Sequence, residues 1–166
     1  VNRDRGRIDQ ATYAKLAGEA NFLLGEEARE KFLGFSIMER SGGMSANLKR
    51  KIRYFDDLVG YYDKAAASGH VEWGSRARFQ LASAAEHLSD EVASIPNSDS
   101  GSVDLTSSRR YTDTIERLRS TAKKHYSTNV LAAKQAPEKF RGNQWVRLSG
   151  LRLTGMEGQK EFKVSH

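Results

Sequence analysis

The sequence predicts a mainly α protein: a helical bundle of four to five helices with a small C-terminal β-hairpin. Three observations carry this. Apolar residues recur three or four apart through most of residues 9–136, the stripe of amphipathic helices. The chain has only two prolines, and one of them, Pro137, falls where the longest stripe ends. Beyond Gln144 the period shortens to an apolar–polar alternation, the pattern of a strand. The expected organisation is a flexible basic arm over 1–8, a bundle over 9–136 with a mobile loop at 96–108, and a basic ribbon over 137–166 packed on the bundle.

The elements follow in order. Arg3, Arg5 and Arg7 lie in the arm, which has no apolar pattern. Asp9 is an N-cap for a helix with Tyr13, Leu16, Ala17, Ala20 and Leu23 or Leu24 on one face, and Gly25 is its expected end. Glu26, Glu27 and Glu30 then suit the first turns of a second helix carrying Ala28, Phe32, Leu33, Phe35 and Met38, which breaks at Gly42 and Gly43. Ser45 caps a third helix with the stripe Leu48, Ile52, Phe55, Val59, Tyr62 and Ala66. A short connection over 67–74 leads to Trp73, expected to staple the next helix to the core. That helix runs from about Ser75 to Ile95, with Leu81, Ala85, Leu88, Val92 and Ile95 along its seam and Pro96 at its end.

Residues 96–108, PNSDSGSVDLTSS, read as a loop. The longest stripe follows from Ser107 to Ala136: Tyr111, Ile115, Leu118, Ala122, Tyr126, polar Asn129, and Ala132 or Ala133. In QWVRLSGLRLTG, from Gln144 to Gly155, Gly150 reads as a bulge or bend. MEGQ supplies a turn, and KEFKVS alternates again.

Charge is unevenly spread. The net charge is +6, yet residues 1–108 hold 14 Lys and Arg against 16 Asp and Glu, while residues 109–166 hold 13 against 5. A cationic last third in a near-neutral chain suggests a polyanionic partner, with nucleic acid the commonest case. Candidate phosphate contacts in this part are Arg109, Arg110, Arg117, Arg119, Lys123, Lys124, Arg141, Arg147 and Arg152. Lys49, Arg50, Lys51 and Arg53 join them, because they occupy the first turns of a helix, where the dipole disfavours cations. Such a break with local preference hints at function, since a helix N-terminus beside four cations would hold phosphate. The plain alternative is that Asp56 and Asp57 neutralise Arg53 and the rest is solvated. On the expected ribbon, Arg147, Arg152, Lys160 and Lys163 lie beside Trp145 and Phe162. Interleaved cations and aromatics can bind backbone and stack bases, or the rings can simply pack on the bundle.

Several classes are excluded. Without cysteine there are no disulfides and no thiolate metal sites. No P-loop, GxGxxG, HExxH or GxSxG occurs, and no cofactor is expected. The four histidines show no metal spacing, and Glu86, His87, Asp90 and Glu91 read as a solvated acidic face. No apolar run approaches the roughly 20 residues of a membrane span. With no signal-peptide pattern at the start, the expected location is intracellular, in the cytoplasm, nucleoid or nucleus.

The expected function is a non-enzymatic subunit that contacts the nucleic-acid backbone, DNA or RNA. The alternative from another class is a helical interaction or assembly subunit of a larger nucleoprotein or viral complex, pairing with a partner protein or with itself. A third reading rests on a short motif. The stretch from Arg119 to His125 has the Arg-x(4–6)-His spacing and resembles HEPN-type ribonucleases, helical bundles whose dimers place such residues at an RNA cleft. The resemblance implies that Arg119 stabilises phosphate and His125 acts as acid or base. It covers seven residues, and six positions of helix turn the two side chains about 600° apart.

Overall fold

A computed structural model describes residues 9–39, 43–95 and 105–164 of the protein. It contains α1 (Gln10–Leu33), α2 (Met44–Ala67), α3 (Val71–Ala93), α4 (Leu105–Gln135), a 3₁₀ turn (Pro137–Phe140) and α5 (Gln144–Val164). Among the described residues there is no strand. The expected arm lies outside the described residues, and so do positions 96–104 of the expected loop.

The helices pack in succession: α1 on α2, α2 on α3, α3 on α4, and α5 on α4 with a smaller contact to α3. α3 is the shared centre. Ala77, Leu81, Ala82, Ala84, Ala85, Leu88 and Val92 are all buried. Alanines on several sides of a helix let neighbours approach it from several directions, with little side-chain entropy lost. Around α3 gather Phe22 and Phe32 of α1, Leu58 and Tyr62 of α2, and Leu118, Ala122 and Tyr126 of α4. Phe22 lies 5.4 Å from Trp73 and 5.7 Å from Tyr62, centroid to centroid, so Trp73 does join the core.

α2 starts at Met44 with Gly43, not Ser45, as its N-cap, and α3 starts at Val71 with His70 as its N-cap rather than near Ser75. Three larger expectations also need correction. α1 does not end at Gly25 but runs through it to Leu33. Gly25 is buried against α2, where an added Cβ would lie 2.6 Å from the Tyr62 ring. The glycine therefore permits close helix approach rather than a turn. Residues 105–108 belong to α4, not to a loop, so Ser107 and Ser108 lie inside the helix.

The third correction is the C-terminal β-hairpin. Residues 144–164 form α5 instead, and 137–140 form the 3₁₀ turn. Asn143 starts α5: its Oδ1 accepts from the backbone N–H groups of Trp145 (3.0 Å) and Val146 (3.1 Å), an N-cap. The face α5 turns inward is small and polar as much as apolar. Ser149 is buried, its hydroxyl receives Asn129 Nδ2 at 3.1 Å, and Gly150 lies against Val130. Leu153 and Met156 continue that face one and two turns on. Asn129 also donates to the Ser75 carbonyl at 2.9 Å, so this buried amide joins α4 to α3 and α5.

Candidate functional site

The helix-start cations divide by direction. Lys51, read as a phosphate contact, is 1% exposed and faces inward. Its ammonium donates to the carbonyls of Phe32 (2.6 Å) and Phe35 and pairs with Glu91 at 3.0 Å. It thus satisfies carbonyls at the C-terminal end of α1, where the dipole favours a cation. Arg78, another cation near a helix start, likewise donates to the Ala66 carbonyl at the end of α2, at 3.2 Å. Burial lowers its pKa. Arg76 lies over the rings of Phe22 (4.4 Å) and Trp145 (5.3 Å). In this hairpin-like succession, a cation at the start of one helix serves the end of the one before.

Lys49, Arg50 and Arg53 are exposed. Arg50 lies 4.9 Å from the Phe35 ring centroid and donates to the Tyr54 hydroxyl at 3.0 Å. Lys49 faces α4. There a groove of about 440 Å³ opens between the first turns of α2 and the first half of α4, lined by Ser45, Leu48, Lys49, Ile52, Arg110, Tyr111, Asp113, Thr114 and Arg117. Among the described residues its cations are Lys49 on one wall and Arg110 and Arg117 on the other, against the carboxylate Asp113. Leu48, Ile52 and Tyr111, all half-buried, give it an apolar floor. Thr114 turns its hydroxyl back to the Arg110 carbonyl at 2.8 Å. The α2 N-cap, Gly43, makes no side-chain capping bond, and Ser45 of the first turn lines the groove.

The remaining cations of α4 and α5 go elsewhere. Arg119, Lys123 and Arg152 line a second groove of about 730 Å³ between α3, α4 and α5, together with Glu86, Asp90, Glu116 and Glu157. There two of the three cations are engaged. Arg152 reaches Glu86 with Nε at 3.0 Å and Nη2 at 2.8 Å, and this bond raises its pKa. Lys123 lies 3.6 Å from Glu157. Outside both grooves, Arg141 pairs with Glu138 at 2.7 Å. Arg109, Lys124 and Arg147 are exposed.

The acidic stretch of α3 is a solvated face only at His87 and Asp90; Glu86 and Glu91 are half-buried and engaged. Glu86 accepts the Tyr126 hydroxyl at 2.6 Å as well as Arg152. Glu91 accepts the Ile37 N–H at 2.7 Å. Burial pushes the Glu91 carboxyl up, but the Ile37 N–H and Lys51 outweigh it, and the pKa lies below the usual value. His87 stands edge-on to Phe32 at 5.7 Å. No group of three His, Asp or Glu among the described residues is arranged to hold a metal ion.

Arg119 and His125 do not share a cleft. Arg119 lines the α3–α4–α5 groove, whereas the charges that act on His125 are Asp63 of α2, Lys124 and Arg78. Burial, the largest cause, lowers the His125 pKa, with Lys124 and Arg78 adding to it and Asp63 opposing. No described helix is long and apolar enough to cross a membrane. No protein family matches this chain, and no known protein or solved structure resembles it significantly.

The α2–α4 groove was hidden from the sequence because it joins cations about 60 residues apart. The available signal was spacing: Arg110 and Arg117 are seven apart on α4, and Lys49 and Arg53 four apart on α2, so each pair forms a row along its helix.

Proposed function

We propose that this protein is a non-enzymatic nucleic-acid-binding module that grips the phosphate backbone in the α2–α4 groove. One observation carries the reading: cations of two helices, Lys49 of α2 and Arg110 and Arg117 of α4, line one cleft with Asp113 as its carboxylate among the described residues. Cations on two walls of a groove focus a positive potential, which favours a polyanion. Of the cations in the basic last third, Arg110 and Arg117 are central to this reading; Arg141 and Arg152, held by Glu138 and Glu86, are not.

The test is a salt titration. Lys49→Gln, Arg110→Gln and Arg117→Gln together should weaken binding to any sequence and lower the slope of log K against log salt by roughly 2 to 3. Replacing Arg119, Lys123 and Arg152 removes the same charge and should leave the slope nearly unchanged. Equal losses would point to overall charge and defeat the reading.

A second reading, a helical assembly subunit, is favoured by the outer face of α1. Tyr13, Leu16, Leu23 and Leu24 are exposed along one stripe, an apolar surface of the kind that marks an interaction site. If it pairs with a protein, Leu16→Glu with Leu23→Glu should lower the mass seen by light scattering without changing helix content. A monomer before and after would reject it.

A further inference from the structure

The α2–α4 groove differs from a purely electrostatic surface in its floor. Leu48, Ile52 and Tyr111 lie between its cationic walls. A duplex keeps its bases stacked inside and offers such a groove only phosphate and sugar, so an apolar floor would gain nothing from it. A single strand offers phosphates and, on the same few nucleotides, unstacked base faces. Proteins that bind single strands combine a positive groove with aromatic side chains on which bases stack. Among the described residues, Tyr111 is the aromatic ring that lines this groove. Few hydrogen-bonding groups here could read base edges, because the Thr114 hydroxyl is committed to the Arg110 carbonyl. Asp113 repels a phosphate placed beside it and can accept from a base amino group.

From this juxtaposition of an aromatic, apolar floor and cations on both walls, we propose that the groove takes single-stranded nucleic acid, with a base on the Tyr111 ring and the backbone along Lys49, Arg110 and Arg117. The proposal rests on the backbone-binding reading above and narrows it. Its ligand is a strand of any sequence, preferred over a duplex of the same charge.

The experiment uses fluorescence anisotropy with labelled dT20, rU20, a 10-base-pair duplex, which matches their charge, and a 20-mer abasic strand, which keeps the phosphates and lacks the bases. Tighter binding of dT20 or rU20 than of both duplex and abasic strand is expected, and the stronger of the two tells DNA from RNA. Tyr111→Leu should weaken the intact strands roughly 5- to 150-fold, the range for losing one stacked base. It should leave the salt slope and the abasic strand unchanged. Tyr111→Phe keeps the ring and should keep the affinity, which separates stacking from folding. If the duplex or abasic strand binds as well as dT20 and rU20, or if Tyr111→Leu costs nothing, the single-strand proposal falls while backbone binding stands. Failure of all four probes to bind at low salt would remove both.

Discussion

α4 presents cations on two flanks that differ in what stands opposite. On the α2 flank, Arg110 and Arg117 face Lys49, with Asp113 the one acid lining the groove among the described residues. On the α5 flank, Arg119 and Lys123 meet Glu86, Asp90, Glu116 and Glu157, and Arg152 is bound to Glu86. The excess of cations along one helix is therefore no measure of a binding surface. The neighbouring helix decides whether a cation is spent on the fold or left for a ligand.

Leu118 keeps the two flanks apart by seating α4 on the core, and it is buried. Leu118→Ala should cost about 2–5 kcal/mol in thermal or denaturant unfolding. A cost within error would mean that α4 is not seated, and the contrast between flanks would dissolve.

A sharper test compares the acids. Glu86 is largely buried and accepts from Tyr126 and Arg152. Glu86→Ala should destabilise by about 2–3 kcal/mol, because it strands charge-assisted hydrogen bonds. Asp113 is exposed, so Asp113→Ala should change stability by no more than about 0.5 kcal/mol. It should also tighten nucleic-acid binding, since it removes the one carboxylate that lines that groove among the described residues. Similar stability costs in denaturant titrations would show that the two flanks do not differ in structural role.

The smallest effect is on pH. Burial lowers the pKa of His125, beside α2, and of His87, where Lys51 adds to it while Glu91 and Asp90 oppose. A depressed folded pKa means that the unfolded chain takes up the proton first. The stability from these neutral imidazoles is therefore present above the unfolded value of 6.5 and lost as pH falls through the folded pKa values. Glu91 has the same sign at lower pH, below its ordinary 4.5. The melting temperature should fall slightly between pH 7 and 5, and less in a His87→Gln, His125→Gln variant. An unchanged fall in that variant would assign it elsewhere.

Much of the bundle was legible in the sequence. The seam of α3 is buried at each position read, Leu81, Ala85, Leu88, Val92 and Ile95, and the α4 stripe holds through Leu118, Ala122, Tyr126 and Asn129. In α2 the inward row is Asn47, Lys51, Phe55, Leu58, Tyr62 and Ala65, displaced from the apolar stripe because Asn47 and Lys51 are buried with their polar ends satisfied. An apolar periodicity cannot register such residues. α1 was cut at Gly25 because a glycine packed against Tyr62 looks, in sequence, like a helix end. The last helix reads as strand in sequence because a short apolar run with Ser149 and Gly150 facing α4 keeps too little of a helical stripe to outweigh the alternation. Of the site, the basic residues were visible, but their sorting into bound and open sets was not, because it depends on contacts such as Glu86 with Arg152, 66 positions apart.

Lys51 carries a consequence for how the molecule opens. Its ammonium holds the carbonyl end of α1 from within α2 and is paired with Glu91 of α3, whose other oxygen holds the Ile37 N–H. Fraying the end of α1 would strand a buried cation and a largely buried carboxylate at once, and leaving one such partner alone is expensive. Local opening there is therefore coupled to the loss of three helices together. The Ile37 amide lies outside any helix, where exchange with solvent is ordinarily fast. Here it becomes a reporter of global unfolding, exchanging on the timescale of the amides in the middle of α3.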